Sequence, residues 1–163
     1  MRAKLPTKEP RTRGGTKEGV GRCNKGKTRG GCLACSYLTE RPAEVVKTVE
    51  VNKREIKVED KITCRTESFL YVLKSRKAPR KCYGGQSGGT VARRLGEHRR
   101  DIMNMDETKA VAKYFMETNS TEDDLQFVPI RVVRNKNMWA RLELERRFLN
   151  DNNLLDDGLN INL

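Results

Sequence analysis

The sequence predicts an α+β fold: a small antiparallel β-sheet flanked by three helices, preceded by a zinc-stabilised knuckle. Three observations predict it. Short β-branched and aromatic runs alternate with longer stretches of helical periodicity. Apolar residues make up 36% of the 163, enough for one core over part of the length. Several cysteines also gather upstream of the first strong strand, at spacings that suit a metal ion.

Residues 1–22 read as a basic flexible arm, dense in Lys, Arg, Gly and Pro and without apolar periodicity. Residues 23–64 form a cysteine-rich module. Within it EVVKTVEVNKREIKVEDKITC alternates Val and Ile with polar residues, a strand or hairpin signal. FLYVLKS, residues 69–75, suits a buried strand, and a Lys-Ala-Pro-Arg turn leads to a second strand around KCYGG. Ser87 to Gly89 then reads as a turn that lets the backbone approach a phosphate. Thr90 is a plausible N-cap for a helix over 90–102, with Val91, Leu95 and Ile102 on one face. A second helix follows through Val111, Phe115 and Met116 and ends near Asn119. QFVPIRVVRN, residues 126–135, reads as a third strand, placed at an edge by Pro129. MWARLELERRFLNDNN is the third helix and LLDDGLNINL a closing loop.

The formal charge of +12 points to a polyanionic partner, nucleic acid first, gripped through phosphates by the arm and by helix arginines. No apolar run approaches the roughly 18 residues that span a bilayer, and no apolar signal core opens the chain, so an intracellular location away from membranes is expected. Cysteines in such a setting more often bind metal or stay free than form disulfides.

Cys23, Cys32, Cys35 and Cys64 are separated by eight, two and 28 residues. The C-x2-C pair places two thiolates on one knuckle, and flanking cysteines complete a tetrahedral zinc shell that orders a segment poor in hydrophobes. Free, partly buried thiols are the alternative, and the long gap leaves Cys64 open as fourth ligand. Cys82 reads as a packed small residue.

In the first helix Arg94 and His98 are i, i+4 neighbours on the flank of the apolar stripe, while Arg93, Arg99 and Arg100 suit backbone phosphates. In the third helix, with Met138 as zero, Leu142, Glu145 and Leu149 fall at about 40°, 340° and 20°, so a carboxylate occupies the apolar stripe. An unpaired buried carboxylate is costly, so Glu145 needs a cation, an arginine or a proton. Arg141 one turn earlier is the local candidate and a metal ion the sharper one. Glu143, at about 140°, has a solvated address.

FLYVL followed by CYGGQS, an Arg-x3-His helix, a Glu-bearing helix and a terminal GLN resemble the GIY-YIG endonuclease domain, over residues 65–163. The upstream cysteines and the lead-in TCRTESFLY resemble more specifically the GIY-YIG domains of Penelope-like retroelements. The resemblance implies a metal-dependent DNA endonuclease of a mobile element, nuclear in a eukaryotic host, with zinc on Cys23, Cys32, Cys35 and Cys64. It implies catalytic roles for Tyr71, Tyr83, Arg94, His98, Glu145 and Asn160. Glu145 would hold Mg²⁺ or Mn²⁺, and Tyr71 would be the general base, its pKa lowered by neighbouring cations. The motifs read Phe-Leu-Tyr and Tyr-Gly-Gly here, which suggests looser packing near Gly84, and Ser75 and Ala78 stand where relatives often carry a second C-x2-C pair. A non-catalytic nucleic-acid-binding zinc protein that keeps the fold is the alternative, a structural chromatin-like protein a third reading. A protein partner or an enclosing polyprotein is compatible with the sequence.

Overall fold

The computed structural model describes residues 18–25, 31–155 and 158–160. These residues form a mixed α+β fold with small sheets and, among the described residues, four α-helices. The central sheet has three strands, β5 (Glu67–Ser75), β6 (Cys82–Thr90) and β7 (Leu125–Val132), in the order β6-β5-β7 with both pairings antiparallel. Strand β5 lies in the middle and is covered on both faces, which is why Phe69 to Leu73 form a continuous apolar run. Pro129 lies in edge strand β7, opposite Tyr71, where a missing N–H removes nothing from the ladder.

Strand β6 is longer than expected. Ser87 to Gly89 belong to it, Ser87 pairing with Phe69, so the expected turn is a strand end leading directly into the next helix. That helix, α2 (Val91–Met103), starts at Thr90, whose Oγ1 accepts from Arg93 N at 3.2 Å. Its neighbour α3 (Ala110–Glu117) has Val111, Ala112 and Phe115 buried. Tyr71, Leu73, Tyr83 and Phe127 share the sheet face that meets α2. The other face receives α4 (Met138–Asp151), whose Leu149 and Phe148 crowd Gly84.

The cysteine-rich segment is built on the same core. Strand β1 (Gly19–Val20) pairs in parallel with β4 (Lys61–Ile62), and α1 (Leu33–Leu38) follows Cys32. Strands β2 (Thr48–Val51) and β3 (Arg54–Lys57) form the expected hairpin, turning through Asn52 and Lys53 at φ 49° and 64°, the left-handed pair that two-residue hairpins favour. Glu59 N donates to Ile130 O at 2.9 Å, and the Asp60 carboxylate accepts from Val132 N at 2.9 Å, tying this segment to β7. Buried residues from Val20 through Cys35 and Tyr71 to Leu154 form one contiguous cluster. Residues 1–17 of the expected arm lie outside the described residues, but its end is not free: Gly19 and Val20 are buried in β1. Among the described residues no helix is long and apolar enough to cross a membrane.

Candidate active site and metal centre

The sulfurs of Cys23, Cys32, Cys35 and Cys64 all lie within 4.8 Å of one another. Cys35 Sγ is 3.6 Å from Cys23 Sγ, and Cys32 Sγ is 3.9 Å from Cys64 Sγ. A disulfide needs about 2 Å. Four thiolates about 2.3 Å from a central zinc would be separated by about 3.8 Å, so the cluster has the dimensions of a tetrahedral thiolate site. Burial above all pushes the Cys35 and Cys64 thiols up, so without a metal both are protonated.

This cluster is joined to α2 by backbone. Cys64 O accepts from Ala92 N at 2.8 Å and Thr66 O from Val91 N at 3.0 Å, satisfying the first N–H groups of the helix. A second tie comes from α1, where the Tyr37 ring lies 4.4 Å from the Arg99 guanidinium. Arg99 also pairs with Glu122 at 3.2 Å. The sequence assigned Arg99 to phosphate contacts; the structure spends it on α1 and Glu122, leaving Arg93 and Arg100 exposed on that helix.

On the far side of α2 a cavity of about 430 Å³ opens at the β6 edge of the sheet. Tyr83, Arg94, His98, Glu145 and Asn160 line it, brought together from β6, α2, α4 and the closing segment. Tyr71 does not line it. The Tyr71 ring is fully buried behind Arg94, where its hydroxyl accepts from Arg94 Nε at 2.9 Å and meets His98 Nε2 at 2.7 Å. The hydroxyl therefore serves Arg94 and His98 at once. Burial holds His98 neutral, its pKa lowered to about 3, with the Arg94 charge adding to the effect. Burial likewise pushes the Tyr71 phenol well above its ordinary range, and Arg94 does not offset it, so the expected lowering by cations is reversed.

The glycines set the closeness of this packing. A Cβ on Gly85 would lie 2.5 Å from the Tyr71 ring and hydroxyl, and one on Gly84 would lie 2.7 Å from Leu149. The expected looseness near Gly84 is therefore absent; α4 uses the missing side chain to reach the sheet. Arg141 Nε donates to Gln86 Oε1 at 3.1 Å and its Nη1 to Lys136 O at 2.8 Å, so Arg141 pins α4 to β6 and does not pair with Glu145.

Glu145 makes no hydrogen bond or ion pair among the described residues. Burial raises its pKa, and the Arg94 charge across the cleft works in the other direction. Met138, at the start of its stripe, is 52% exposed, so that stripe borders the cleft and only Leu149 reaches the core. Glu143 is on the solvent side, with Arg146 at 2.8 Å and Arg147 at 3.1 Å.

No protein-family model, curated protein or solved structure matches this chain significantly. Asn160 is a positioning residue: its Oδ1 accepts from Gly84 N at 2.8 Å and its Nδ2 donates to Gly84 O at 2.7 Å, closing the open edge of β6 as a paired strand would. Sequence reasoning missed Asp101, Thr108 and Lys109, which also line the cleft. Asp101 stands one turn after His98 on α2, and that spacing was the available signal. Ser75, at the site of the absent cysteine pair, is buried and hydrogen bonded to Ser120 Oγ at 2.7 Å.

Proposed function

We propose that this chain is a metal-dependent DNA endonuclease of the GIY-YIG type, resembling the mobile-element form, that nicks or cuts DNA by hydrolysing phosphodiester bonds. One observation carries the reading. A carboxylate with no hydrogen-bond or ion-pair partner among the described residues, Glu145, lines the same cleft as an arginine, Arg94, whose own position is held by Tyr71 and by Glu97 at 2.8 Å. A phosphodiester has non-bridging oxygens for a guanidinium and needs help for its leaving alkoxide. Glu145, in a cleft that Asp101 also lines, suits a hard divalent cation such as Mg²⁺ or Mn²⁺, which is commonly held by one or two carboxylates and substrate phosphate. When bound, that cation supplies Lewis acidity and charge for the departing oxygen.

The chain's own residues divide the remaining work. Arg94 clamps the phosphate, with Nε held by Tyr71 and Nη1 by Glu97, so that Nη2 is the nitrogen offered to substrate. Tyr83 is the phenol at the cleft and keeps the role of orienting water or phosphate that the resemblance gave it, whereas Tyr71, buried, is withdrawn from the general-base role that the resemblance gave it. Tyr71 and His98 serve as the scaffold of Arg94. Zinc on the four cysteines braces α2, and thus Arg94, through the Cys64 and Thr66 carbonyls.

Nicking of supercoiled plasmid, with Mg²⁺ or with EDTA added just before DNA, tests this reading. Mg²⁺-dependent nicking is expected from the wild type, and none from Arg94→Ala or Glu145→Ala, both of which still retard DNA in a gel. Nicking that persists in Glu145→Ala with Mg²⁺ present overturns the assignment. DNA binding by the wild type without any nicking favours the non-catalytic zinc protein.

A further inference from the structure

A second concavity, of about 720 Å³, lies between two turns outside the cleft. Asn52 and Lys53, the turn of the β2–β3 hairpin, form one wall, and Pro79, Arg80 and Lys81, in the turn from β5 to β6, form the other. Lys74 on β5 and Glu50 on β2 complete the lining. Both walls are tied down. Lys74 Nζ donates to Glu50 O at 2.8 Å, and Asn52 Nδ2 donates to Asn152 O at 2.6 Å, at the end of α4.

The groove carries four cations, Lys53, Lys74, Arg80 and Lys81, against one carboxylate. None of the four forms a salt bridge among the described residues, whereas Arg93, Arg94 and Arg99 on α2 each have a carboxylate. Like charges crowded in this way repel one another, and a polyanion relieves the repulsion. No aromatic side chain lines the groove, so nothing there stacks on a base. What fits is a run of phosphates.

The groove shares a wall with the cleft. Cys82 is that wall: its thiol accepts from the Asn52 N–H on the groove side, and its carbonyl accepts from Leu159 N at 2.8 Å on the cleft side. Lys81 precedes it in the groove and Tyr83 follows it in the cleft, and two residues of chain span at most about 7 Å. One helical turn of duplex is about 34 Å long, so DNA with a phosphate in the cleft reaches the groove within that turn.

We propose that this groove is a second DNA-binding surface, in which Lys53, Lys74, Arg80 and Lys81 grip the backbone of the duplex flanking the phosphate held in the cleft. It adds affinity without base preference and takes no part in the chemistry. This rests on the nuclease reading for the identity of the polyanion.

The double variant Arg80→Ala/Lys81→Ala tests it in the zinc-loaded full chain, with an unchanged melting curve as the folding check. Duplex affinity is measured over a series of salt concentrations without Mg²⁺. The slope of log affinity against log salt should become shallower by about two, since each phosphate contact contributes about 0.9. Lys53→Gln, on the opposite wall, should take off about one, and both losses should be the same for unrelated duplex sequences. Turnover at saturating plasmid stays at the wild-type value with KM raised. An unchanged slope overturns the groove, and so does a loss of turnover at saturation. An equal fall in slope from Lys57→Ala/Lys113→Ala, exposed residues that line neither cavity, also overturns it, because net charge alone then accounts for the effect. Polyglutamate that binds the wild type as tightly as duplex does, and the double variant weakly, overturns it in favour of an acidic protein partner. Plasmid nicking separates this idea from the one beneath it. Mg²⁺-dependent nicking by the wild type with an unchanged slope in the double variant sinks the groove alone, whereas a shallower slope without any wild-type nicking sinks the nuclease reading alone.

Discussion

The Tyr71 hydroxyl holds two partners at once, and what it holds is the placement of Arg94. Tyr71→Phe leaves buried His98 Nε2 and Arg94 Nε without that partner, at a cost of about 1–3 kcal/mol. Urea denaturation should show this loss, and plasmid nicking should fall with DNA binding little changed. Tyr83→Phe removes a cleft hydroxyl while keeping the ring, so nicking should drop about 100-fold with stability nearly unchanged. His98 gives a pH signature of its own. Its pKa is about 3 in the folded chain against an ordinary 6.5, so between those values the unfolded chain binds the extra proton. The His98 contribution to stability is therefore present above pH 6.5 and declines as pH falls toward 3. Because the chain has a single histidine, its imidazole NMR signals should stay flat from pH 5 to 8. A titration midpoint near 6.5 would refute the buried arrangement.

At the scale of elements, the glycines of β6 decide how near α2 and α4 come to the sheet. Gly85→Ala sets a methyl against the buried Tyr71 ring, and overpacking of this kind costs about 1–3 kcal/mol. Gly96 is the contrast: it lies inside α2 with open space around its missing side chain. Gly96→Ala should raise stability by about 0.8–1 kcal/mol, since the helix gains propensity without a clash. Thermal melts of the two variants should move in opposite directions. The elements themselves were largely legible, since strand alternation, the Thr90 cap and the Pro129 edge signal are local properties. Ser87 to Gly89 were misread as a turn because glycine there serves close approach by Arg141, which no local rule reports.

Across the whole molecule the cysteine cluster and the cleft are coupled through one helix. Cys64→Ser removes one thiolate while leaving Arg94 and Glu145 chemically intact. We expect the variant to lose zinc, melt at least about 10 °C lower and lose nicking in parallel, because structural zinc contributes folding energy outright. Metal content and melting temperature check this together; a zinc-free variant with wild-type melting and nicking would show that the cluster braces nothing.

Residue types and their spacing were enough to mark the four cysteines, the Arg94–His98 turn and the misplaced carboxylate of Glu145, because ligand spacing and helical periodicity are carried by neighbours in the chain. Which way each of these faces was decided only by packing. Burial withdrew Tyr71 from the cleft and neutralised His98. Close approach across Gly84 turned the Glu145 stripe toward Arg94, and Asn160 went to the open edge of β6. Desolvation and contact between distant segments are set by the fold as a whole, so no single stretch of the sequence carries them.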